Sequence, residues 1–190
     1  MYKRQVLEKK KPIDINKIRP GIQKLIAGLG WDQATINGVA VDCDVSVFLL
    51  GTNGKLVSDE HFVFYNNLSS PEGYVVHTGD NRDGDGDGDD ESINIDLSKM
   101  DSRVEFLYFA ITIHESEARG HHFGNVENSF INLRNAADNS ILCSFKLSES
   151  FDGQDSIIIA SISRNGGNWN VEALGQAFSG GLNTLIDLYQ

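Results

Sequence analysis

The chemistry of this chain concentrates between Asp80 and Glu91, where six aspartates and one glutamate occupy twelve positions, Gly84, Gly86 and Gly88 alternate among them, and Arg82 is the one cation. Two like charges ~4 Å apart at an effective dielectric of about 20 repel by about 4 kcal/mol. Seven carboxylates therefore gather in one loop only around a cation, or they stay open and solvated. The glycines bear on that choice. Alternating Asp and Gly relieve Cβ crowding and permit positive φ, which lets carboxylates and carbonyls turn inward. Oxygen ligands in such number are the chemistry of a hard cation such as calcium. The Asp80–Glu91 segment holds no Cys or His, which argues against zinc or copper there.

An EF-hand is the nearest template and it fails. Counting from Asp83, aspartates fall at the first, third and fifth positions and Gly88 at the sixth, but the twelfth is Asn94 where a bidentate Glu is required, and the eighth is Asp90. The flanks, Gly73 to His77 and Ile93 to Leu97, read as strands. The expectation is a calcium-type loop on a β scaffold.

Charge narrows the partners. The formal net charge is −11, of which Asp80 to Glu91 contributes −6. An acidic excess focused in one loop repels nucleic-acid phosphates and anionic membrane surfaces and attracts cations. Residues 1–20 run the other way, with seven Lys or Arg against Glu8 and Asp14, and read as a solvated basic edge carrying Lys9, Lys10 and Lys11. Cys43 and Cys143 sit in apolar runs and read as buried small hydrophobes, without a disulfide framework. No apolar stretch approaches the ~20 residues of a membrane span, and no signal-peptide core is seen, so the expected location is cytoplasmic.

The elements that must position the acidic loop are strands. Val41, Cys43, Val45, Val47 and Leu49 share one parity within Val39 to Leu50, which turns Asp42, Asp44 and Ser46 to the other face. Ile13 and Ile15 suggest edge strands before Pro20-Gly21. Asn53-Gly54 marks a hairpin, Phe62 to Tyr65 an aromatic strand, and Ser92 to Leu97 an alternating one. Val104 to Ile113 is apolar almost throughout, the pattern of a strand covered on both faces at the centre of a sheet. Asn128 to Arg134, Ile141 to Leu147, Ser156 to Ser163 and Asn168 to Leu174 continue the strand spacing. Only the end of the sequence is helical in period, with Leu182, Leu185, Ile186 and Tyr189 on one face. One domain over 1–190 follows: a mainly β sandwich of two antiparallel or mixed sheets with a short C-terminal helix.

Other chemistries find less support. There is no Gly-x-Ser-x-Gly elbow, and neither cysteine has an activating neighbour pattern. Acids interspersed among Gly84, Gly86 and Gly88 would repel a phosphate. A seven-acid loop gives no reason to choose one general acid and one base. The expectation is a protein that is not an enzyme. His121-His122, beside Arg119-Gly120, reads as an exposed polar loop, with transition-metal ligation as the alternative. His77 and His114 either orient carboxylates or are satisfied near the sheet. Trp31 and Trp169 read as core rather than as ligand platforms, and Asn66-Asn67 either ends a strand or serves the ion.

Taken together, the motifs resemble the TerD family of tellurium-resistance and stress proteins. The resemblance is carried by Gly28-Leu-Gly-Trp-Asp32, Asp42-Cys-Asp-Val-Ser46, Phe62-Val-Phe-Tyr-Asn-Asn67, His77-Thr-Gly-Asp-Asn-Arg82, Gly86-Asp-Gly-Asp-Asp-Glu91, Thr112-Ile-His-Glu115, Phe123-Gly-Asn-Val126 and Gly175-Gln-Ala-Phe-Ser-Gly-Gly-Leu182. It implies a cytoplasmic β-sandwich that binds calcium, usually two neighbouring ions, and that works with other tellurium-resistance proteins, membrane-associated ones among them. Carried over by residue, the implied ligand pool is Asp42, Asp44, Asn66, Asn67, Asp80, Asn81, Asp87, Asp89, Asp90 and Glu91, some of which would hold other ligands rather than the ion. Asp83 stands where the family suggests threonine, and Cys43 where leucine is common. The alternative function is a calcium-dependent carbohydrate- or small-ligand-binding sandwich.

Overall fold

Period-2 alternation sets the architecture in a computed structural model of the chain, which describes residues 4–32, 34–79, 89–147 and 149–190. The elements in order are β1 (Gln5–Val6), β2 (Ile13–Asp14), α1 (Ile15–Ile18), β3 (Lys24–Gly30), β4 (Thr35–Ile36), β5 (Val39–Ala40), β6 (Cys43–Leu50), β7 (Phe62–Val63), β8 (Val75–His77), β9 (Glu91–Asp96), β10 (Phe106–Ile113), α2 (Ser116–Arg119), β11 (Phe130–Asn135), β12 (Ile141–Lys146), β13 (Ser156–Asn165), β14 (Asn168–Phe178) and α3 (Gly181–Tyr189). One sheet runs β1-β12-β11-β3-β9-β8, the other β2-β14-β13-β10-β6-β7, and β4-β5 forms a separate hairpin. The first sheet is mixed, because β1 pairs parallel with β12. The expected two-sheet sandwich with a terminal helix is the fold observed.

Between the sheets lies one apolar core. Leu25, Ala27 and Leu29 of β3, Ile93 and Ile95 of β9, and Ile131 and Leu133 of β11 meet Val45, Val47 and Leu49 of β6 and Leu107, Phe109 and Ile111 of β10. Trp31 and Trp169 belong to this core, as do the free thiols of Cys43 and Cys143. The opposite parity of the second sheet is covered too. Phe48, Leu50, Phe62, Ala110 and Ile158 pack beneath Leu185 and Tyr189 of α3, with Leu182 and Ile186 at the margin. That cover explains why β10 reads as apolar at nearly every position and sits between β13 and β6.

Three expectations are corrected. Ile15 lies in a helical turn rather than a strand, because the Asp14 carboxylate accepts the Asn16 N–H and caps α1. Val39 to Leu50 is not one strand. Asn37 and Gly38 both adopt positive φ, 52° and 80°, in a two-residue hairpin turn that pairs β4 with β5, and the chain then re-enters the sheet at Cys43. His121 is not exposed: it is 3 % accessible, inside the connection that follows α2.

Antiparallel pairing brings strand ends together at one pole. Ile113 lies opposite Cys43, Leu29 opposite Glu91, Phe130 opposite Gly30 and Thr112 opposite Ser156. The site is built at this pole.

Candidate metal centre

Glu91 ties the two sheets together. It shares the inward parity of Ile93, Ile95 and Leu97, and only 3 % of it is accessible. Its Oε2 accepts the backbone N–H of Val45 in the opposite sheet, at 2.9 Å. That N–H is available because β7 pairs only with Val47 and Phe48 and stops short of Val45. The same oxygen lies 3.1 Å from Nε2 of buried His77. The Gly79 N–H donates to His77 Nδ1 at 3.0 Å, so the ring proton sits on Nε2 and points at Glu91. Of the two readings of His77, carboxylate orientation is the one this geometry fits.

Asp90, one residue earlier, turns to the strand end, where its Oδ2 accepts the Trp31 N–H at 2.8 Å. Burial raises its carboxyl above the ordinary aspartate value against that hydrogen bond, and the neighbouring charges of Glu91, Asp89 and Asp32 push the same way. Asp42 and Asp44 arrive on the loop into β6 and on its first turn outward. The Asp42 carbonyl accepts the His114 N–H at 2.8 Å, and the Asp44 carboxylate lies 3.4 Å from His114 Nδ1. His114 in turn sets its ring edge-on against Tyr65.

Cys43 lies between Asp42 and Asp44 at this pole, opposite Ile113. Its thiol is pushed well up first by burial and then by the charges of Asp42, Asp44, Glu91 and Asp90. The carboxylates of Asp42, Asp44, Asp90 and Glu91 outnumber the imidazoles of His77 and His114 at this pole. Oxygen-rich surroundings of this kind suit a hard cation better than a soft one. Among the described residues no three His, Cys, Asp or Glu groups close on a single ion position.

The rest of the expected pool is dispersed. Asp89 lies on the outer face of the first sheet, where it pairs with Arg134. Asn66 is exposed in the turn from Phe64 to Asn67, and the Asn67 amide donates to the Phe62 carbonyl at 2.7 Å, the strand-ending arrangement. Asp80, Asn81 and Asp87 lie outside the described residues. Sequence reasoning missed the clamp on Glu91, although its parity with Ile93 and Ile95 signalled an inward carboxylate, and it missed Arg134 altogether.

One prediction follows from Asp90. An aspartate whose folded value is raised favours folding while protonated, and that contribution is lost as pH rises through the raised value. With calcium chelated at neutral pH, Asp90→Asn should therefore raise the melting temperature while shrinking any calcium-induced rise. A variant that melts lower in chelator would contradict the charge accounting.

The TerD domain family matches residues 4–189. The chain is 39 % identical over 177 residues to the tellurium resistance protein TerD of Serratia marcescens, covering 93 % of this chain and 92 % of that one. It is 41 % identical over 177 residues to general stress protein 16U of Bacillus subtilis, with the same coverage. Among solved structures, a homologue of telluride resistance protein (TerD) from Streptomyces coelicolor superposes with a TM-score of 0.69 at 17 % identity, covering 87 % of this chain and 96 % of that one. At that identity the superposition speaks for the fold.

Proposed function

Because this chain belongs to the TerD family, we propose that it is a calcium-binding stress-response protein of the tellurium-resistance type, taking two Ca2+ at the acidic pole. The observation that supports the reading is the bond from the Val45 N–H to the Glu91 carboxylate, which brings the end of the acidic stretch to the start of β6, where Asp42 and Asp44 lie. Asp80, Asn81 and Asp87, in the segment that leads into Asp89, would supply further oxygens. The role is binding rather than turnover. Like-charged carboxylates at one pole stabilise a cation, and the nucleophile among them, Cys43, is held as a buried thiol. A cytoplasmic location and contact with other tellurium-resistance proteins, membrane-associated ones included, belong to the same reading. No helix among the described residues is long and apolar enough to cross a membrane.

Titration calorimetry on chelator-stripped protein tests it. Two calcium ions should bind, and magnesium far more weakly, since it demands a small octahedral site and keeps its water. Asp42→Asn with Asp44→Asn should weaken calcium binding in a chain that still folds. Equal affinity for both cations, or an unaltered double variant, would refute the assignment.

A second reading, calcium-dependent binding of a carbohydrate or small ligand, is favoured by one feature. An open cleft of about 540 Å³ adjoins Asp44, bounded by Tyr65, His114, Glu115 and Leu182, and its volume suits a small ligand. A glycan that raises the melting temperature only with calcium present would favour this reading over the first.

A further inference from the structure

We propose that Arg134 is a positioning residue of the calcium site, holding the entry to β9 through Asp89, and that Asp89 is an anchor rather than an ion ligand. The inference rests on the calcium reading above and assigns a task that reading leaves open.

The geometry begins with two glycines. Leu25, Ala27 and Leu29 face the core, so Gly28 and Gly30 face outward and leave a trench across the first sheet. The Asp89 carboxylate lies in that trench: a Cβ on Gly28 would stand 1.8 Å from its Oδ2. Across the ladder, Asn132 is the register partner of Gly28, and Arg134 that of Ile26. Both project to the same outer face. Arg134 Nη2 meets Asp89 Oδ2, and Asn132 Nδ2 stands 3.4 Å from Oδ1. The Asp89 side chain is only 6 % accessible there. A carboxylate so buried requires a partner, and the guanidinium supplies the charge in a fixed planar geometry that Lys lacks.

The three consecutive acids therefore take different partners. Asp89 lies over Gly28 on the outer face beside Arg134, Asp90 reaches the Trp31 N–H next to Gly30, and Glu91 turns into the core. Asp90 and Glu91 act on the Cys43 thiol together with Asp42 and Asp44. Asp89 stands on the far side of the sheet from that group, its charge already met. Its effect on the ion is exerted through the backbone that carries Asp90 and Glu91. Side chains that orient metal ligands typically change affinity by about 10- to 100-fold when removed.

The alternative gives the opposite sign, which makes the test decisive. If Asp89 were a ligand held away by Arg134, removing the guanidinium would release a carboxylate, delete a competing cation and tighten calcium. Calcium titrations of wild type, Arg134→Gln, Asp89→Asn, the double variant and Arg134→Lys should show unchanged stoichiometry. Affinity should fall about 10- to 100-fold in each single variant, with little further loss in the double. Arg134→Lys, which keeps the charge, should recover part of the affinity and serves if Arg134→Gln does not fold. Affinity equal to or tighter than wild type in a folded Arg134 variant overturns the inference alone, as does loss of one ion in Asp89→Asn. A wild type that binds no calcium overturns this inference and the proposed function together.

Discussion

In calcium at a hundredfold excess over its dissociation constant, the chain should melt roughly 5 to 11 °C higher than in chelator for each independent site. Binding to the folded form alone contributes about 2.7 kcal/mol at that excess. Each kcal/mol moves the melting temperature of a chain this size by roughly 2 to 4 °C. The physical origin is repulsion. Asp42 and Asp44 lie at the pole where Glu91 reaches the Val45 N–H, and the 80–91 segment, Asp90 and Glu91 included, carries a formal −6. Two calcium ions would bring +4. Magnesium at the same concentration should shift melting much less. Thermal melting in chelator, calcium and magnesium reads this directly, and a curve indifferent to all three would return the segment to a solvated acidic loop.

Glu91→Ala should be the most damaging single substitution at the pole. Its carboxylate receives two buried donors, the Val45 N–H and His77 Nε2, and each would lose its acceptor. An unsatisfied buried group costs about 1 to 3 kcal/mol, so the loss is roughly 2 to 6 kcal/mol, or roughly 8 to 16 °C at the middle of that range. Glu91→Gln keeps an oxygen for Val45 and the side-chain shape, and should lie between wild type and Glu91→Ala. Denaturant midpoints for the three proteins in chelator would check the order, since calcium is then absent from the comparison. A Glu91→Ala chain as stable as wild type would mean that water replaces the carboxylate at both donors.

Much of this was readable in the chain because burial repeats with period 2. The parity of Val41 to Leu49 turned Asp42 and Asp44 away from the core strip, and they lie there. The near-continuous apolar run of Val104 to Ile113 announced a doubly covered strand, and the α3 period named the face that covers it. What escaped were features that alternation does not encode. Val39 and Ala40 separate from β6 because the Asn37-Gly38 turn pairs them with β4, a partner that their own apolar run does not announce. Glu91 looked like the last acid of a loop, because its inward parity counts only once the strand is known to start there. Arg134 lies more than forty positions from Asp89 and meets it through the register of β11 on β3, a pairing no local pattern announces. His121 has polar neighbours in sequence, whereas its burial follows from the path of the chain after α2.

The outermost strands of both sheets bear on a different matter, the behaviour of many copies of this chain at once. β1, β2 and β7 span two residues each and β8 three, whereas the strands they flank run from six to eleven. β1 and β2 also bracket the run Lys9-Lys10-Lys11. Unpaired backbone along a long flat margin is what lets one β protein template the next into fibrils, and short margins with lysines beside them frustrate that growth. A sandwich finished in this way resists edge-to-edge pairing with its own copies.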